Sequence, residues 1–130
     1  MQVQFRDTDT GILARFEAAL LELVDDAERR GPCRIAIAPM SKSAPAAMDA
    51  GFQDAIEGAA ERHAPGLHLR MPSGAGHDAQ ILSRRLRSAM MFVPSLNGVS
   101  HHWTEDTKEE DIVLGAQVFA DAAAAILQVE

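Results

Sequence analysis

Between Ser88 and Pro94 the chain reads Ser-Ala-Met-Met-Phe-Val-Pro, and no polar side chain interrupts it after Ser88. This run restricts the fold more than any other stretch. A segment with no polar face to turn to water fits a central strand covered on both sides. The residues around it are of a different kind. Ser73-Gly-Ala-Gly-His-Asp78 comes before it, with small side chains where backbone can approach something closely. Asn97-Gly-Val-Ser-His-His102 comes after it. In open α/β sheets, ligand sites gather beyond the carboxyl ends of strands. Segments 73–78 and 97–102 are therefore expected at one edge of a sheet.

The rest of the chain supplies the partners such a strand needs. Val3 and Phe5 alternate with polar residues in MQVQFRD, which predicts a short strand over Met1–Asp7. Ile12, Phe16, Ala19, Leu20, Leu23 and Ala27 recur at helical spacing. Asp9 or Thr10 can cap that helix, and Gly31-Pro32 ends it. Cys33–Met40 is expected to return as a strand, so the first forty residues read as a β-α-β unit. Ser41-Lys-Ser-Ala-Pro45 is a polar connector and the best boundary, dividing 1–44 from 45–130. A second helix is expected from Asp49 to His63, with Phe52, Ile56, Ala59, Ala60 and His63 inward. Pro65-Gly66 is a turn, Leu67–Met71 a strand, and Asp78–Leu86 a short helix. Thr107-Lys-Glu-Glu110 matches a capping box, and three acids in the following turn suit the helix dipole. In the last helix, Ile112, Val113, Ala116, Phe119, Ala120, Ala123, Ala124 and Leu127 form the expected apolar face.

Composition excludes some functions. A net charge of -7 over 130 residues argues against nucleic acid or an anionic membrane as the partner. No run approaches the ~18 apolar residues of a membrane span, and the first residues lack the basic and apolar regions of a signal peptide. Cys33, the single cysteine, has no internal disulfide partner, which suits a reducing cytoplasm.

His101 is the sharpest candidate for chemistry, in a loop after the apolar run with Asp and Glu nearby. Two adjacent histidines alone do not make a metal site, because a catalytic zinc needs about three protein ligands. His77 reads either as a polar cap for exposed helix amides or as a site residue. Segment 73–78 could cradle an anion with backbone N–H groups, but it lacks the lysine and spacing of a phosphate loop. Arg6 reads either as a surface ion pair or as a bidentate clamp on a substrate carboxylate. His63 and His68 read as structural or solvated, Cys33 as a small core residue, and Trp103 as an exposed side chain.

SGAGHDAQ, followed by AMMFVPSLNGVSHHWTEDTKEED and then Gly115-Ala116, resembles the C-terminal part of the dinuclear zinc amidohydrolases. These are the N-carbamoyl-L-amino-acid hydrolases, allantoate amidohydrolases and β-ureidopropionases, relatives of aminoacylase and carboxypeptidase-like metallopeptidases. The resemblance covers essentially the whole chain. One departure is Asn97, where the family more often has glycine. The resemblance implies an α/β fold: the β-α-β half of a ferredoxin-like lid, then the C-terminal α/β part of a zinc-peptidase-like catalytic domain. It implies that His101 is a zinc ligand, that Gly76 and His77 line the substrate pocket, and that Arg6 grips the substrate carboxylate. The implied reaction is hydrolysis of a carbamoyl or ureido C–N bond in a small anionic substrate.

The other metal ligands and the catalytic glutamate of such enzymes come from polypeptide before the lid, and no counterpart lies ahead of Arg6. The expectation is a C-terminal fragment, inactive alone and holding no zinc stably, that forms a homodimer by pairing its β-α-β units. The alternative is a non-catalytic dimerisation module that keeps a vestigial anion pocket.

Overall fold

The structure, a computed structural model, describes residues 1–38 and 43–128. Among them it contains four α-helices, a short 3-10 turn at Leu96–Gly98 and no β-strand. The described residues fall into two compact units. One comprises 1–38, 43–46 and 72–76, the other 47–71 and 77–128.

The first unit is built on α1, Thr10–Arg30. Asp9 caps it, its carboxylate accepting from the N–H groups of Gly11 (2.7 Å) and Ile12 (3.3 Å). Such a cap satisfies donors that the helix itself leaves unpaired. Gly31 closes the other end by donating to Ala27 O at 3.0 Å. Phe5 lies against Phe16 with ring centres 5.4 Å apart, and Ile35 N–H donates to Glu28 at 2.6 Å. The segments on both sides of α1 thus lean on it. No residue of α1 is buried, and Leu23 is 65% exposed.

The predicted β-α-β unit is not seen. Met1–Asp7 and the described part of Cys33–Met40 carry the alternation of strands, but no backbone hydrogen bond joins them to another segment among the described residues; Pro39 and Met40 lie outside those residues. Alternation only prepares a surface; a strand exists when its N–H and C=O groups find a ladder partner. Cys33 is exposed instead of lying in a core.

The second unit is held by two helices, α2 (Ala50–His63) and α4 (Glu109–Leu127), which pack on each other. Its core is small: Ala59 and Ala60 of α2, Val118 and Ala122 of α4, with Ile56 and Met91 packed against them. Gly115 of α4 is buried as well. Small side chains at these positions let the two backbones come close. The face expected inward on α4 is therefore the wrong one. Ile112, Val113, Phe119 and Leu127 are exposed. α4 is apolar on most sides, so its periodicity could not choose a face; close approach to α2 chose the small residues.

The ends of these helices differ in how they are capped. At α2, Asp49 accepts from Phe52 N–H at 2.9 Å and receives a two-pronged ion pair from Arg87, at 2.8 and 3.0 Å. The Arg87 guanidinium also lies 4.4 Å over the Phe52 ring, within reach of a cation–π attraction. At α4 the expected capping box is absent: Lys108 occupies the cap position and its side chain makes no capping bond, while Glu109, Glu110 and Asp111 fill the first turn. Their charges offset the helix dipole directly. α3 is shorter than expected, Asp78–Leu82, because Leu82 begins a series of tight turns through Leu86.

The other two strands are also absent, and their side chains are placed as follows. In Leu67–Met71 the even positions hold α2: His68 lies 3.6 Å from Glu61, and Arg70 pairs with Asp54 (2.6 Å) and Glu57 (2.5 Å). Leu67, Leu69 and Met71 are exposed. In Ser88–Pro94, Met91 joins the core while Phe92 and Val93 are exposed, so the run is covered on one side only.

The Asp49 clamp makes one prediction. The Arg87 side chain, and then the Phe52 N–H, hold the Asp49 carboxyl down to about 2 from an ordinary 3.8. A carboxyl lowered on folding stabilises the fold above its unfolded pKa, and that contribution is lost as pH falls towards the folded value. The stability of the second unit should therefore decline between about pH 4 and pH 2. In Asp49→Asn that part of the decline should vanish, as checked by urea unfolding across this range.

Candidate functional site

The candidate residues are divided between the units. Arg6 and Gly76 belong to the first, and His77 and His101 to the second.

In the first unit, the Arg6 guanidinium donates to Gly74 O at 2.5 Å and to the Gln4 side chain at 3.1 Å. Arg6 is thus anchored to the glycine-rich segment by a neutral carbonyl. It has no acid partner among the described residues, which leaves its charge available to an anion. The surface ion pair with Asp7 or Asp9 does not form; Asp7 instead accepts from Asp9 N–H at 2.8 Å. Gly74 and Gly76 do not adopt a positive φ. A Cβ at Gly76 would meet nothing within 4 Å, and one at Gly74 only the Arg6 side chain at 3.9 Å. Neither backbone angle nor a crowding neighbour requires glycine at 76. His77 occupies the cap position of α3 but makes no capping hydrogen bond, against the polar-cap reading. Its ring sits 5.5 Å from that of Phe92.

The second polar segment is a tightly tied loop. Leu96 N–H donates to Asp106 O at 2.8 Å, closing it at the base. Asn97 (φ 57°), Gly98 (φ 67°) and His101 (φ 55°) all lie in the left-handed region. Asparagine tolerates that region better than most side chains, so Asn97 keeps a backbone shape that glycine would also give. Histidine is also among the side chains found there more often than most, and His101 adopts the shape. Its N–H donates to the Glu105 carboxylate at 2.6 Å.

The hydrogen bonds distinguish the five histidines. His63 bonds Asp121 at 2.8 Å, and that contact, with Arg62 second, holds the Asp121 carboxyl below its usual range. His68 reaches Ala64 O and Glu61. His102 Nδ1 bonds the Thr104 hydroxyl at 2.8 Å, and its ring lies against Trp103, which is 89% exposed. The His101 imidazole is exposed and has no hydrogen-bond partner among the described residues. Of the adjacent pair, His101 is the one with both ring nitrogens open among the described residues, whereas His102 keeps only Nε2. Among the described residues, no three His, Cys, Asp or Glu side chains come together in a group able to hold a metal ion. No helix of the described residues is long and apolar enough to cross a membrane.

Reading the sequence singled out His101 but missed Glu105 as its backbone partner. The signal available was an acid four residues further along the same loop. It also missed the Asp49–Arg87–Phe52 clamp, whose members are 38 residues apart at the ion pair.

Comparison with known proteins places these residues in a family. The chain is 30% identical over 124 residues to allantoate amidohydrolase of Bacillus subtilis (strain 168), covering 92% of this chain and 29% of that protein. It is 33% identical over 78 residues to N-carbamoyl-L-amino-acid amidohydrolase of Rhizobium meliloti, covering 60% of this chain and 18% of that one. Its structure is similar to a crystal structure of an amidase of the hydantoinase/carbamoylase family from Burkholderia phymatum, with a TM-score of 0.83 and 40% identity over 95% of this chain and 29% of the other. The chain spans less than a third of the length of the curated relatives it matches. Residues 6–125 match the family model described as peptidase family M20/M25/M40. That match takes in both units and nearly every residue described above, and the chain belongs to this family.

Proposed function

We propose that this chain forms part of a metal-dependent amidohydrolase that cleaves the carbamoyl or ureido C–N bond of N-carbamoyl amino acids or allantoate-like compounds. The observation that carries this reading is the open imidazole of His101 on a closed loop, in a chain that matches carbamoylase and allantoate amidohydrolase relatives along its length. His101 suits a divalent metal such as zinc in its chemistry, as a borderline-soft nitrogen donor with no competing partner. It supplies one ligand. A catalytic zinc needs about three, so further ligands must come from polypeptide other than the described residues, and this chain alone should be inactive. When bound, the metal would supply an activated water and polarise the scissile carbonyl.

The remaining roles belong to this chain's own groups. Arg6 would bind the substrate carboxylate through a charge-assisted bond, its guanidinium already anchored to Gly74 O. Gly76 would present backbone to the substrate where a side chain would occupy space. His77, packed on Phe92, would line the pocket with a ring held in place.

The test is a hybrid in which this chain replaces the matching 29% of the Burkholderia phymatum amidase. Ammonia release from N-carbamoyl amino acids and from allantoate should be recovered in the presence of zinc. The isolated chain should show none. A folded hybrid that turns over neither substrate class would overturn the reading.

A further inference from the structure

We propose that Glu105 is the positioning residue for His101: its carboxylate holds the His101 backbone in the left-handed conformation and so fixes where the imidazole is presented. The inference rests on the reading of His101 as a metal ligand. Four observations within the second unit carry it. First, His101 has φ 55° and is not glycine, an uncommon backbone conformation that a local hydrogen bond can hold in place. Second, the His101 N–H donates to Glu105 at 2.6 Å, a short, charge-assisted bond. Third, Glu105 is itself turned back towards His101, because its own N–H donates to His102 O at 2.9 Å. Fourth, the neighbouring His102 is tied to Thr104 through its ring, while His101 is tied only through its backbone. The loop therefore fixes the main chain of His101 and leaves its ring nitrogens unoccupied.

The physical consequence follows from geometry. The Cα–Cβ bond swings with φ. Without the Glu105 acceptor, the His101 backbone would relax towards negative φ and carry the imidazole away from its present direction. Glutamine at 105 can still accept through its side-chain oxygen, though without the charge. Alanine cannot accept at all.

The experiment uses the full 130-residue chain, labelled with 15N and 13C, as wild type, Glu105→Gln and Glu105→Ala. The His101 amide proton shift and exchange rate report the hydrogen bond. The zinc concentration that half-activates the hybrid amidase carrying the same variants reports presentation of the imidazole where the other ligands are present. In Glu105→Ala the amide should lose its downfield shift and its protection, and the zinc concentration that half-activates the hybrid should rise about 10-fold, at the lower end of what outer partners of a metal ligand contribute. Glu105→Gln should recover most of both. An unchanged His101 amide in Glu105→Ala would overturn the proposal. So would a Glu105→Gln variant that behaves like alanine, which also serves if the alanine variant does not fold. If His101→Ala leaves the rate and zinc requirement of the hybrid amidase unchanged while the amide still responds to Glu105→Ala, the positioning role stands and the metal-ligand reading falls.

Discussion

His101→Ala in the hybrid amidase should lower hydrolysis by at least about 100-fold, whereas His102→Ala should change it only slightly. The contrast follows from how the loop spends its two imidazoles. His102 Nδ1 is committed to Thr104 at 2.8 Å, and its ring leans on Trp103. Its loss removes a local brace on an exposed turn. The His101 ring has no partner to lose among the described residues, so its removal costs the fold little and falls on whatever the ring binds. Partners that merely orient a metal ligand are worth 10–100-fold in affinity or activity, so losing the ligand should exceed roughly the upper end of that range. Steady-state rates of ammonia release, with melting curves showing both variants folded, decide the matter. Equal losses in the two variants, or a His101→Ala hybrid of near-normal rate, would sink the assignment.

Gly115→Val should be the most damaging single change to stability in the second unit. A Cβ at 115 would stand 2.4 Å from Val93 Cγ1 and 3.9 Å from Met91 Cε. Two opposing effects meet here. Replacing glycine inside a helix gains up to about 1 kcal/mol of propensity for alanine, less for a β-branched residue. Overpacking a core typically costs about 1–3 kcal/mol, occasionally more. The contact is with a short, β-branched side chain that has little room to swing, so sterics should win. Gly115→Ala should lose roughly 1–2 kcal/mol net, and Gly115→Val about 3 or more. Urea unfolding measures both. Val93→Ala should rescue Gly115→Ala, because it removes the atom that is struck; non-additivity of that kind identifies residues in contact. A Gly115→Ala variant as stable as wild type would mean that the 88–94 run does not press on α4 as described.

Both expectations concern places where reading the chain succeeded only in part. The helices were legible because their signals are local. Asp9 ahead of α1, Gly31 after it and Asp49 ahead of α2 act on backbone groups within four residues, and no distant partner is needed to interpret them. The family was legible through its motifs, and the match over residues 6–125 bears out that resemblance. The strands were not legible in the same way. Alternation in Met1–Asp7 and Leu67–Met71 is real, yet it states only which side chains share a face. Hydrogen bonding to a neighbouring segment is a non-local event, and among the described residues it does not occur for these segments. Contacts of His68 and Arg70 with acids of α2 account for the alternation in 67–71 without a ladder.

The amino-acid order by itself determined where α1 and α2 start and stop, and the family, since capping and motif chemistry are settled within a few residues. Only the tertiary structure decided which side of α4 is buried, that Arg87 closes on Asp49, and that Glu105 pins the backbone of His101. Each of these depends on which surfaces meet in space. A helix apolar on most sides, or a charge with several possible partners, leaves that choice open until the chain has packed.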